Sequence, residues 1–92
     1  MKFKITQHGG FAAPPEALEL LWERLGPSRE EASFAKTDGE IRVTWGEDEV
    51  PSFAREERAD IGRRAVLDIV REVCEGAPEL DFDWFAVSPE RV

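Results

Sequence analysis

His8 is the only histidine of the chain, and two glycines follow it directly. Adjacent glycines let the backbone adopt conformations in which amide groups point at a ligand, and an imidazole can give or accept a proton near neutral pH. Pro15 then marks the start of a helix, whose amino end attracts anions. This spacing predicts a small-anion site at His8, Gly9 and Gly10. A simple chain reversal beside a solvated His8 also explains the pattern, since residues 8–22 contain no lysine or arginine.

The single cysteine, Cys74, rules out a disulfide within this chain and a metal site built from several cysteines. It falls on the apolar side of a long helical pattern, which is typical of a buried packing residue rather than of a nucleophile. Only His8 could activate it, and the expected fold separates the two residues. We therefore expect no cysteine–histidine catalysis, and the chain is predicted not to be an enzyme.

Two groups of carboxylates have the composition of a cation site or an acid–base pair. Asp81 and Asp83 are two apart in a predicted strand, which points both to one face, and residues 47–49 form an acidic turn. Neither spacing matches the calcium loop of an EF-hand, which needs alternating oxygen ligands and a distal glutamate. We interpret both groups as solvated charge and expect no metal ion and no other cofactor.

The chain is strongly acidic, with 20 acidic and 12 basic residues and a formal charge of −8. This balance argues against nucleic acid as a partner, because neutralising phosphates requires a basic face. The excess charge either keeps the protein soluble or steers it toward a basic partner. No apolar run reaches about 18 residues and no signal-peptide pattern precedes the first strand, so we expect a cytoplasmic protein without a membrane span.

The first third of the chain predicts a strand followed by a helix. Lys2–Gln7 alternates polar and apolar residues as a strand does, with Phe3 and Ile5 on the core side. Pro15 begins a helix with one apolar face, and Gly26 ends it.

A hairpin follows. Asp38-Gly39 is a strong two-residue turn signal between Ala32–Thr37 and a partner strand over residues 41–45. Residues 28–31 precede the hairpin and are expected to form a capping turn or a linker.

The longest predicted element is an amphipathic helix over residues 60–75, whose start could lie as early as Phe53. Its broad apolar arc needs both a sheet and a second helix to cover it. Gly76 and Pro78 end this helix, and alternation predicts a last strand over residues 80–87.

The predicted order β-α-β-β-α-β indicates an α+β fold in a single domain spanning residues 1–92. Right-handed crossovers would close it into the ferredoxin-like arrangement, a four-stranded antiparallel sheet with both helices on one face. The first and third strands would then be central. A sheet with the last strand placed elsewhere is the alternative.

In that fold, the sheet face away from the helices stays open. Lys4 and Arg42 would face it from the central strands, and Phe85 and Val87 from an edge strand. Two apolar side chains on a polar face predict a small patch that binds a protein partner or a second copy of the chain. A solvated face with scattered apolar residues is the other interpretation. RNA-base stacking is not expected, because the central strands carry no aromatic residue on this face.

Residues 5–12, with Gly9-Gly10-Phe11 after a strand, resemble the beginning of emfourins, which are small bacterial inhibitors of thermolysin-type metalloproteases. The Pro-Pro-Glu sequence before the first helix and the extended stretch over residues 41–48 are similar in order. The resemblance covers about a third of the chain and implies an inhibitor that contacts its target through Gly9, Gly10 and Phe11. The chain departs from the family by passing from Phe11 into a helix where another strand is expected.

Three functions follow from these patterns. The first is a non-enzymatic interaction or regulatory module that binds a protein partner, or forms a homodimer, through its sheet face or an edge strand. The second is a protein inhibitor or antitoxin-like protein whose acidic surface occupies a basic site on its target. The third is small-anion binding at the loop of His8, Gly9 and Gly10.

Overall fold

The computed structural model describes residues 1–8, 13–29, 31–46 and 51–90. Five strands and two helices form in chain order, together with two 3₁₀ turns at Ser52–Ala54 and Phe82–Trp84. The elements are β1 (Lys2–Gln7), α1 (Ala17–Leu25), β2 (Ser28–Arg29), β3 (Ala32–Thr37), β4 (Glu40–Trp45), α2 (Arg55–Glu75) and β5 (Phe85–Pro89).

All five strands form one antiparallel sheet in the order β2-β3-β4-β1-β5. The predicted α+β class with two helices and an antiparallel sheet is confirmed, but the sheet has five strands where four were expected. The additional strand is β2, where Ser28 pairs with Ser33 and Arg29 with Ala32. The segment expected to be a turn or a linker therefore folds back along the hairpin and extends the sheet.

The strand pattern in β1 determines which side of the sheet is buried. Phe3 and Ile5 are fully buried, whereas Lys2 is exposed on the other side. In β4, Ile41 and Val43 are the cross-strand partners of Ile5 and Phe3, so the same side is buried there. Asp38-Gly39 forms the hairpin turn, with Gly39 at a φ of +76°, which a glycine adopts without strain.

Helix α2 begins at Arg55, close to the earlier of the two predicted starts. The 3₁₀ turn Ser52–Ala54 leads into α2. Glu56 and Glu57 in the first turn of the helix place negative charge at the positive end of its dipole, which is stabilising. One side of α2 packs with α1 against the buried side of the sheet. The buried residues of α2 are Gly62, Val66, Ile69, Val70, Val73 and Cys74, and those of α1 are Ala17, Leu18, Leu21 and Leu25.

The last strand begins at Phe85, five residues later than predicted. The Oδ1 atom of Asp81 accepts a hydrogen bond from the backbone N–H of Asp83 at 3.0 Å and caps the turn Phe82–Trp84. A 3₁₀ turn rotates successive side chains by about 120° instead of the 180° of a strand, so the alternation does not continue through it. The side chains that follow are therefore rotated to the side opposite the one predicted.

This rotation overturns the predicted orientation of Phe85 and Val87. Phe85 pairs with Gln7 and Val87 with Ile5, and the two side chains are only 6% and 5% exposed, within the core. The prediction that they form an apolar patch on the open sheet face is wrong. None of the described helices combines the length and apolar character that crossing a membrane requires.

Candidate functional site

The described part of the outer sheet face carries mainly polar and small side chains. Lys4 and Arg42 lie on it as directly paired cross-strand neighbours, and Arg42 also forms ion pairs with Glu40 at 3.6 Å and Glu90 at 3.8 Å. The remaining positions carry short or polar side chains, such as those of Ser33, Ala35, Thr44 and Ser88. With Phe85 and Val87 in the core, the described part of this face carries no large exposed apolar side chain to anchor a partner.

Of the predicted anion loop, only His8 lies within the described residues. His8 is exposed, and its backbone N–H donates to the carbonyl oxygen of Trp84 at 2.7 Å, which extends the pairing of β1 with β5. The Gln7 side chain donates from Nε2 to the carbonyl oxygen of Pro14 at 3.0 Å. Gly9, Gly10 and Phe11 lie outside the described residues, so the anion site and the inhibitor loop stay predictions.

Cys74 is buried on the inner side of α2, as the sequence predicts. Burial raises the pKa of its thiol above the ordinary value of 9.0, and the negative charge of Asp81 raises it further. The thiol therefore stays protonated near neutral pH, and the thiolate is the form that acts as a nucleophile.

We expect Cys74 to react with a thiol-specific disulfide reagent at least about tenfold more slowly in the native protein than in the unfolded chain.

The raised pKa of Cys74 also makes the stability of the protein depend on pH. The unfolded chain releases the thiol proton at lower pH than the native protein does. The stabilisation from the protonated thiol is therefore complete below the ordinary pKa of 9.0 and is lost above it. Urea unfolding of the wild type and of Cys74→Ala, at neutral and at alkaline pH, measures the effect. Equal losses of stability in the two proteins on raising the pH would contradict it.

Of the two carboxylate groups noted in the sequence, only Asp81 and Asp83 lie within the described residues. Asp81 caps a turn instead of pairing with Asp83 on a strand. No group of three or more His, Cys, Asp or Glu side chains among the described residues is arranged to hold a metal ion. The acidic segment over residues 47–49 lies outside the described residues.

The exposed apolar side chains point to a different surface. Among the described residues, the large apolar side chains with substantial exposure are Phe53 at 91%, Ile61 at 44% and Trp22 at 38%. Phe53 lies in the turn that leads into α2, and Ile61 lies in the second turn of that helix. About 13 Å along the axis separates these two residues, with Glu57 between them in the chain. Both side chains lie outside the buried stripe of α2.

We call this set of residues, Phe53, Glu57 and Ile61, the Phe53 surface. The sequence itself contains a signal for this surface. On a helical wheel, Ile61 lies about 140° from Val66, the centre of the buried stripe, and Phe53 precedes the helix in a 3₁₀ turn. Large apolar residues that are out of phase with a buried stripe cannot be covered by the same core.

Exposed side chains of both charges border the Phe53 surface, among them Arg55, Glu56 and Asp60. Neither these residues nor Glu57 forms an ion pair with another described residue. The described surface thus presents an aromatic side chain, a smaller apolar one and unpaired charges on one flank of α2. Comparisons with protein families, with curated proteins and with solved structures found no match for this chain.

Proposed function

We propose that this chain is a small, acidic, non-enzymatic interaction module that binds a protein partner through the Phe53 surface. The observation that carries the proposal is the 91% exposure of Phe53. Covering an exposed phenylalanine side chain contributes about 1.5–3 kcal/mol, and a few large anchors dominate the free energy of many interfaces. A partner with an apolar pocket for this ring would recover that free energy.

The charge of the chain narrows the class of partner. A formal charge of −8 favours a basic protein surface over nucleic acid, because opposite charges speed and orient encounter. Glu56, Glu57 and Asp60 lie beside the apolar side chains and would meet basic residues around the pocket. A cytoplasmic location is part of the proposal, since a single buried cysteine suits a reducing compartment.

We interpret the architecture as ferredoxin-like with one short strand added. In support, β3-β4-β1-β5 is the order that two right-handed β-α-β units would produce, and β2 only lengthens the edge. Helix surfaces and sheet edges are then the available docking elements.

The edge of the sheet at β5 is poorly suited to strand addition, which favours the helix surface. The Nε atom of Arg63 donates to the carbonyl oxygen of Val87 at 3.2 Å, and the N–H of Phe85 donates to the carbonyl oxygen of Phe82. Pro89, at the end of β5, has no N–H to donate. An incoming strand would find these positions of the ladder already occupied or missing.

Replacing Phe53 with alanine is expected to weaken partner binding by at least about 2 kcal/mol, or roughly 30-fold in affinity, if Phe53 is the anchor. The stability of the free protein should change by less than about 0.5 kcal/mol, because the ring contacts so little of its own chain. Immobilised wild type and Phe53→Ala are compared by capture from a lysate at low and moderate salt, with thermal unfolding as the check on folding. Sedimentation of the same proteins detects self-association.

Trp22→Ala supplies the matched control, since Trp22 is an exposed aromatic residue on α1. We expect one stoichiometric partner that is lost with Phe53→Ala, kept with Trp22→Ala and weakened by salt, or a dimer that is lost and kept with the same two variants. A protein that stays monomeric and captures nothing, or loses its partner equally with both variants, would refute the proposal.

Inhibition of a protease is the second candidate, and one observation favours it. The hydrogen bonds from His8 to Trp84 and from Gln7 to Pro14 fix the two ends of the segment that contains Gly9, Gly10 and Phe11. A loop held at its base needs less ordering when it binds a target. A thermolysin-type metalloprotease assayed with the wild type, Phe11→Ala and Phe53→Ala separates the candidates, because only the inhibitor loop predicts a loss specific to Phe11→Ala.

A further inference from the structure

A cleft lies beside the carboxyl end of α2, where the chain turns back toward β5. Phe82 and Trp84 of the second 3₁₀ turn line it, both half-buried and packed on the core. Arg71, Glu75 and Asp81 complete its sides. We call these five residues the aromatic cleft. It lies at the other end of the 21-residue helix α2 from Phe53, a distance of about 30 Å along the axis.

The carboxylates of the aromatic cleft outnumber its available cation. Glu75 and Asp81 form no ion pair with another described residue. Glu79, which also lines the cleft, is paired with Arg24. Hydrogen bonds from its own backbone amide and from Arg24 lower the pKa of Glu79 and keep it ionised. The cleft is therefore net negative despite Arg71.

One guanidinium group already occupies part of this cleft. The Cζ atom of Arg71 lies 4.8 Å from the centre of the Phe82 ring, within the range of a cation–π interaction. No described carboxylate forms an ion pair with Arg71, so the ring is the partner seen for this cation. The second ring is that of Trp84, and tryptophan is the aromatic side chain that binds cations most strongly.

We propose that the aromatic cleft binds an arginine or lysine side chain from a basic segment of a partner protein. The cation stacks on Trp84, and the carboxylates of Glu75 and Asp81 balance its charge. Charge complementarity favours a basic segment over an acidic one. An acidic segment would be attracted by Arg71 alone and repelled by several carboxylates. The proposal does not depend on the Phe53 surface, which is remote from the cleft.

Arg71 has a definite role in this arrangement. Its positive charge repels an incoming cation, and its guanidinium covers the Phe82 ring that the cation could otherwise use. Arg71→Gln removes this charge and keeps a polar side chain. It should therefore tighten binding of the incoming cation by about threefold. Neutralising Glu75 and Asp81 together, as Glu75→Gln with Asp81→Asn, should weaken it by roughly three- to tenfold. Asparagine still serves as a cap for the turn Phe82–Trp84.

The three tryptophans allow a site-resolved test with a hexa-arginine peptide as the probe. Titration into ¹⁵N-labelled protein is followed by the indole N–H resonances, which are assigned with Trp22→Phe and Trp84→Phe. We expect saturable movement of the Trp84 resonance, while those of Trp22 and Trp45 move little. The spectrum of each variant also reports whether it is folded.

Glu16→Gln with Glu19→Gln is the matched control, because it removes two exposed carboxylates at the amino end of α1 that belong neither to the aromatic cleft nor to the Phe53 surface. Binding that is tighter in Arg71→Gln, weaker in the cleft double variant and unchanged in the control supports the site. Equal weakening in both double variants would show that the peptide follows overall charge only and would overturn it. Movement of Trp84 with a hexa-glutamate peptide instead would identify an acidic partner held by Arg71 and would also overturn it.

Discussion

Replacing Phe85 with glutamate is expected to unfold most of the protein or to cost at least about 4 kcal/mol of stability. The side chain is 6% exposed and packs edge to face against Trp84, with ring centroids 6.5 Å apart. The substitution removes a buried aromatic ring, at a cost of about 3–5 kcal/mol, and places a carboxylate in the apolar core. Small domains are stable by only about 5–15 kcal/mol. Urea unfolding followed by far-ultraviolet circular dichroism measures the loss.

Ser88→Glu is the control within the same strand. Ser88 lies on the outer face directly opposite Lys4, so a glutamate there gains an oppositely charged cross-strand neighbour. Its stability should stay within about 0.5 kcal/mol of the wild type. If Phe85→Glu were tolerated and Ser88→Glu were not, the side chains of β5 would have the opposite orientation, the one that alternation from residue 80 predicts.

Gly62→Ala should destabilise the protein by about 1–3 kcal/mol, although alanine is the better helix former by about 1 kcal/mol. Gly62 is the point where α2 lies against the sheet. A Cβ atom at this position would lie 2.5 Å from Cζ and 2.8 Å from Cε2 of Phe3, and 2.9 Å from Cε3 of Trp45. Phe3 is fully buried, so its ring cannot move aside without displacing other core residues. Chemical unfolding at neutral pH measures the difference.

Gly76→Ala is the matched substitution at the other end of α2. The backbone φ there is −86°, and the nearest atom to a new Cβ would be the carbonyl oxygen of Val73 at 3.7 Å. Alanine fits this conformation and restricts the unfolded chain, so we expect a gain of about 0.4–1 kcal/mol. A Gly62→Ala protein as stable as Gly76→Ala would mean that α2 does not approach Phe3 and Trp45 closely.

The orientation of the residues on the sheet face could be predicted in part from the local sequence pattern. The outward orientation of Lys4 and Arg42 follows from strict alternation in strands that are regular throughout, and the structure has it. Phe85 and Val87 follow a capped 3₁₀ turn, and a period-two argument carried across such a turn assigns the wrong side. The sequence-based prediction did not include the Phe53 surface. Periodicity identifies the residues that pack in the core, whereas the residues of this surface are out of phase with the buried stripe of α2.

Local chemistry is decisive where a few neighbouring residues act alone. Side-chain periodicity predicts strand β1 and the two amphipathic helices, and turn preference predicts the Asp38-Gly39 turn. The sequence by itself therefore determined the α+β class and most of the core. The tertiary structure alone decided four features. These are the additional strand β2, the orientation of β5, the contact of Gly62 with Phe3, and the grouping of Phe82 and Trp84 with Arg71. Each of these depends on residues that are distant in the chain, and their contact energies become defined only when the elements pack together.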